Sequence, residues 1–134
     1  MITASAIWTD IDRFIGQASS GHAIVVDAGE KKTGSSPVEL VLIGLCACTA
    51  YDVVNILRKK REEFTAIEVF AEGERATGQP TVYTAIKLIY KVTGKVSREA
   101  VESAVRLSEE KYCSVAAMLN KTAKITYDIE LLEK

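Results

Sequence analysis

The sequence predicts one α+β domain over residues 1–134, and three observations carry that prediction. Alternating apolar and polar residues open and close the chain. A single long, nearly unbroken apolar stretch follows the capping signal "SPVE". Two extended segments, a second helix and a last alternating segment then follow in order, with no internal repeat and no linker.

The elements read in chain order as follows. "ITASAIWT" (2–9) is a strand, and "RFIGQ" and "HAIVVDAG" flank the turn "SSG" (19–21) as a hairpin. His22, the only histidine, follows that turn and reads as a strand-edge residue. "GEKKTGSS" (29–36) is a polar loop. Ser36 is then an N-cap, Pro37 the first helical residue and Glu39 the third, which makes a capping box. The helix runs to about Arg61, where "RKKR" sets positive charge at the negative end of the helix dipole.

"TAIEVFAEGE" and "TVYTAIKLIYKV" form a hairpin across "GQP" (78–80), with Val82, Ile86, Leu88, Tyr90 and Val92 on one face. Ser97 caps a second helix whose stripe is Val101, Ala104, Val105 and Tyr112. "YCSVAAML" either continues that helix or restarts it with Ser114 as a new cap. In "KITYDIELL", Ile125, Tyr127, Ile129 and Leu131 alternate with polar residues as in a strand.

Composition narrows the function. Hydrophobic residues make up 48% of the chain and charged residues 26%, so it packs a core. A net charge of −1 argues against nucleic acid or an anionic membrane as partner. One histidine removes a His-based triad and any multi-His metal site. Three irregularly spaced cysteines make no disulfide framework, and "MITASAIWTD" has no signal-peptide pattern, so the expected compartment is the cytoplasm.

The first helix is the unusual element. "VELVLIGLCACTAYDVVNIL" (38–57) is apolar almost all round, which means deep burial or a membrane span. Glu39, Asp52 and Asn55 speak against the membrane. A helix of about 26 residues is roughly 39 Å long. A compact chain of this size has a radius of gyration of about 14 Å. One chain can hardly cover such a helix, so a second copy is expected to do so in a homodimer.

Two cysteines lie in that helix. Cys46 and Cys48 point about 200° apart, which excludes both a shared metal and a local disulfide. Cys48 is three turns inside the helix, beyond the reach of the dipole, and Asp52 lies on its face. A reactive Cys48 thiolate therefore needs a cation from elsewhere in the fold or from a partner. Cys113 is either at the positive end of a short helix, which favours thiolate, or a buried residue at a kink.

"SPVELVLIGLCACTAYDVVNIL" followed by "EKYCSVAAML" resembles the OsmC/Ohr family of osmotically inducible and organic-hydroperoxide-resistance proteins. The resemblance implies an intertwined α+β homodimer with a long central helix packed against antiparallel sheets. It further implies a thiol peroxidase that acts on organic hydroperoxides with no metal or organic cofactor. It places the peroxidatic cysteine on Cys48 and the resolving cysteine on Cys113, with an external dithiol as reductant, and gives Cys46 no role beyond packing.

In the family an arginine of the partner subunit, held by the motif glutamate, activates the thiol. Glu39 matches that glutamate and is equally explained by the capping box. Arg13 is the one arginine before the helix, with Lys31 and Lys32 as substitutes that lack the bidentate geometry. The alternative function is an OsmC-like protein with little peroxidase activity, either a binder of hydrophobic small molecules or a redox sensor.

Overall fold

The computed structural model describes residues 1–133. They divide into two compact units, Met1–Val41 and the residues from Leu42 onward.

The first unit holds a three-stranded antiparallel sheet in the order β1 (Ala4–Asp10), β2 (Arg13–Ala18), β3 (Ala23–Asp27). Gly21, at φ +87°, makes the β2–β3 turn expected at "SSG". After β3 the loop is pinned by Asp27, whose carboxylate accepts from the Gly29 and Thr33 N–H groups and from the Thr33 hydroxyl. These bonds hold the carboxyl below the usual aspartate range, the Thr33 hydroxyl most of all.

The long helix α1 is Pro37–Lys59. Its start is the capping box read from the sequence: Glu39 N–H donates to Ser36 Oγ at 3.2 Å, and Ser36 N–H donates to Glu39 Oε1 at 2.8 Å. Its end is a Schellman turn made without glycine. Arg61 adopts φ +59°, its N–H reaches Arg58 O and the Glu62 N–H reaches Leu57 O, both at 3.0 Å. By length and composition α1 could cross a bilayer. Here it buries only the stripe Leu45, Thr49, Val53 and Leu57, while Ile43 and Tyr51 are exposed.

The second unit is built on a sheet of order β4 (Glu63–Arg75), β5 (Tyr83–Lys95), β6 (Lys124–Leu132). Strands β4 and β5 form the expected hairpin, with a cis Gln79–Pro80 peptide in the turn. Ile86, Leu88, Tyr90 and Val92 share the buried face of β5, but Val82 does not. Thr84 is an extra residue at an irregularity opposite Glu74 and Arg75. That extra residue flips the alternation, so Tyr83 takes the buried position and Val82 is exposed. Gly94, at φ +129°, passes so close to Glu63 O that a Cβ would lie 2.4 Å from it.

The sheet is mixed rather than wholly antiparallel. β6 pairs parallel to β5. The reason lies in the connection: helices fill the chain between the two strands and carry it back to the starting end, as a parallel crossover requires.

That connection holds α2 (Arg98–Leu107), a wide π turn (Ser108–Tyr112) and α3 (Ser114–Leu119). Ser97 caps α2 as expected, accepting from Ala100 N–H at 3.0 Å. The buried stripe is Val101, Ala104, Val105 and Ser108, and it does not continue to Tyr112. The π turn closes with Cys113 N–H on Ser108 O at 2.9 Å, which inserts one residue and rotates the next by about 100°. Tyr112 turns outward to 51% exposure, and Cys113 takes the inner place at 3%.

Candidate functional site

The larger unit brings Cys48 and Cys113 together. Cys48 is carried on α1, on the turn that also presents Thr49, and is half-buried. Cys113 is placed by the π turn and is buried. Its side chain interacts with that of Cys48, which favours the protonated form of Cys113.

Cys113, rather than Ser114, is the cap of α3, its Sγ accepting from Ala116 N–H at 3.3 Å. Both sequence alternatives for Cys113 are therefore partly realised, since it is buried and it stands at a helix start. Burial wins. Loss of solvent first, then the interaction with Cys48 and, least, the Asp52 charge push the thiol up to about 12, against the pull of the Ala116 N–H. The reduced protein carries Cys113 as a protonated donor and not as a thiolate. Cys46 is half-buried in α1, and burial pushes its thiol up as well.

Behind the two cysteines runs a chain of five polar side chains that the sequence reading did not assemble. Ser108 Oγ donates to Asp52 Oδ2 at 2.8 Å. Thr49 Oγ1 lies 2.7 Å from Ser108 Oγ and 2.6 Å from Tyr90 Oη. Tyr90 Oη in turn lies 2.8 Å from Glu109 Oε1. Thr49, Tyr90 and Ser108 are fully buried. Tyr127 stands edge-on to the Tyr90 ring at 6.0 Å between centroids. Burial pushes both the Tyr90 phenol and the Glu109 carboxyl up.

One sequence signal pointed this way. Thr49, Tyr90 and Ser108 each occupy a position on an otherwise apolar buried stripe, where a polar group must find a partner. Beside the chain, a cleft of about 480 Å³ is lined by Tyr51, Asp52, Lys59, Lys60 and Tyr112 among others.

The other sequence-predicted residues belong to the smaller unit. Glu39 is occupied by the capping box, and the Ser36 N–H holds its carboxyl below the usual range. Arg13 is engaged by Asp10, with Nε donating to Oδ1 at 2.9 Å and Nη2 paired to Oδ2, so its ion-pair partner is Asp10 and not Glu39. Arg13, Lys31 and Lys32 nonetheless line one cavity of about 890 Å³, together with Asp27 and Thr33. The three cations named from the sequence thus share one surface of their unit.

Known proteins resemble this chain along nearly its whole length. The profile of OsmC-like proteins matches residues 29–128, a span that includes Glu39 and all three cysteines. Protein YhfA of Escherichia coli strain K12 is 41% identical over 126 residues, which is 93% of this chain and 94% of that protein. A hypothetical protein from Aquifex aeolicus VF5 superposes with a TM-score of 0.91 at 33% identity, covering 100% of this chain and 98% of its own. The organic hydroperoxide resistance protein OhrB of Bacillus subtilis shares the fold, with a TM-score of 0.70 at 13% identity, covering 97% of this chain and 98% of its own. The matched span, and a relative 41% identical along nearly the whole length, show that this chain belongs to the OsmC-like protein family.

Proposed function

We propose that the protein is a thiol peroxidase that reduces organic hydroperoxides through Cys48 and Cys113. The observation that carries the reading is that the side chains of Cys48 and Cys113, far apart in sequence, come into interaction. The shared fold with a named organic hydroperoxide resistance protein supports the substrate class.

The roles follow from the asymmetry of the pair. Cys48 is half-buried and reachable by a peroxide, whereas Cys113 is buried and protonated. Cys48 sulfur attacks the outer peroxide oxygen and the O–O bond breaks. The alkoxide takes a proton and leaves as an alcohol, and Cys48 becomes a sulfenic acid. Cys113 sulfur then displaces that hydroxyl. Its proton leaves with the hydroxyl as water, and a Cys48–Cys113 disulfide forms. An external dithiol reduces the disulfide by exchange and is itself oxidised.

The cation that Cys48 requires comes, in this reading, from the cavity that holds Arg13, Lys31 and Lys32, on a second copy of the chain. A homodimer also gives the exposed apolar face of α1, with Ile43 and Tyr51, a surface to cover it. Glu39 then serves as helix cap and as counter-charge to that cation.

The test is peroxide treatment of the reduced protein, followed by disulfide mapping by mass spectrometry. A Cys48–Cys113 bridge is expected. Two free thiols after exposure to an alkyl hydroperoxide would overturn the reading.

A further inference from the structure

The five-member chain of oxygens contains one more contact than its hydroxyl protons can fill. Four contacts join Asp52, Ser108, Thr49, Tyr90 and Glu109, at 2.6 to 2.8 Å. The three hydroxyls supply one proton each. With both carboxyls ionised, Ser108 donates to Asp52, Tyr90 donates to Glu109, and Thr49 serves only one of its two neighbours. The remaining pair would then face each other with lone pairs at hydrogen-bond distance. Inside a fully buried site that arrangement costs the full penalty of an unmade bond.

We propose that the reduced protein holds a fourth proton in this chain, on Glu109, and that the chain is a one-way hydrogen-bond wire from Glu109 to Asp52. Glu109 donates to Tyr90, Tyr90 to Thr49, Thr49 to Ser108 and Ser108 to Asp52. Every contact is then filled and one negative charge remains, at Asp52.

Glu109 is the end that keeps the proton because nothing compensates its charge. Among the described residues its one polar partner is Tyr90, and burial disfavours its ionised form. Asp52 opens on the cleft that also holds Lys59 and Lys60, so the charge resides where ammonium groups and water are. Among the described residues, no ion pair is made by either carboxyl.

The wire matters because of where it ends. The Asp52 charge adds, after burial and Cys48, the smallest of the influences that keep the Cys113 thiol protonated. One hop of each hydrogen along the wire moves the proton from Glu109 to Asp52 and the charge from Asp52 to Glu109. That removes the Asp52 contribution to the Cys113 environment without exchanging anything with solvent. Thr49, Ser108, Tyr90 and Glu109 would then be positioning residues for the resolving thiol, a consequence that rests on the peroxidase reading. The stored proton itself does not rest on it.

The experiment is infrared spectroscopy of the intact, reduced protein at neutral pH, with no peroxide present. The wild type is expected to show the carbonyl stretch of one protonated carboxylic acid, absent in Glu109→Gln. Thr49→Val separates the count from burial. It splits the wire into two balanced pairs, needs no fourth proton and is expected to lose the band, while Thr49→Ser keeps it. Ser108→Ala leaves two contacts for two hydroxyl protons and should lose the band in the same way, which covers a failure of Thr49→Val to fold. A wild type without the band, or a band that survives in folded Thr49→Val or Ser108→Ala, would overturn the wire. Neither result would affect disulfide formation between Cys48 and Cys113.

Discussion

Thr49 and Tyr90 meet through their hydroxyls at 2.6 Å, from positions 41 residues apart, with both side chains fully buried. This contact ties the buried stripe of α1 to the central strand of the larger sheet. Removing the phenol oxygen should therefore be felt in stability as well as chemistry. Tyr90→Phe keeps the ring and its edge-on contact with Tyr127 but leaves Thr49 and Glu109 short of a partner. We expect a loss of about 1–3 kcal/mol in urea denaturation, with an unchanged m-value. A variant as stable as the wild type would show that the phenol contributes nothing net.

The buried resolving thiol can be removed without removing the attacking one. Cys113→Ser should still consume the first equivalent of an organic hydroperoxide and should stop at Cys48 sulfenic acid. A dione probe followed by mass spectrometry should then label Cys48. Turnover with an external dithiol should fall by roughly tenfold or more, about 1.4 kcal/mol in barrier. Cys48→Ser should show neither label nor turnover. Label on Cys113 in Cys48→Ser would reverse the assigned roles.

The raised Cys113 thiol sets a pH dependence with a definite sign. In the unfolded chain it ionises near its ordinary value of 9.0, and in the folded protein near 12. Between these values the folded state retains a proton that the unfolded state has lost. The contribution is complete below the lower value and is lost as pH rises toward the upper one, at up to about 1.4 kcal/mol per pH unit. Urea midpoints followed from neutral pH into the alkaline window should fall more steeply for the wild type than for Cys113→Ala. Parallel curves would contradict the shift.

Two substitutions at the start of α1 separate its cap from its charge. Ser36→Ala removes the oxygen that receives the Glu39 N–H and should cost about 1 kcal/mol. Glu39→Gln keeps an acceptor for the Ser36 N–H while removing the charge, and should leave the denaturation midpoint nearly unchanged. If Glu39→Gln keeps its stability but loses peroxide turnover, the carboxylate has a role beyond the cap. If both are kept, the cap is its whole role.

What the sequence revealed was whatever a local rule controls. The capping box at Ser36 and Glu39, the Ser97 cap and the alternation on β5 from Ile86 onward depend on neighbours a few positions away, and each is present. Cys48 and Cys113 were paired through family resemblance, since no local rule joins an α1 residue to one after α2. The errors have local physical causes too. A single extra residue at Thr84 moved Val82 off the buried face, and another in the π turn moved Tyr112 outward. The parallel pairing of β6 was hidden because alternation gives a strand but not its direction. The wire was illegible for a different reason: its members come from α1, β5 and the π turn, and only the folded chain brings them together.

The wide turn at Ser108–Tyr112 has an evolutionary corollary. Glu110, Lys111 and Tyr112 are solvent-exposed, and such positions ordinarily accept insertions and deletions. Here the length of the segment matters more than its letters. Deleting one of these residues would let an ordinary helix run on with Cys113 four residues after Ser108, still on the buried stripe, whereas inserting one would turn Cys113 by about 100° away from Cys48 and leave every side chain of the pair intact. Drift in this stretch should therefore be free in composition but closed to added length, a constraint that residue-by-residue mutational scanning would not detect and a one-codon insertion would.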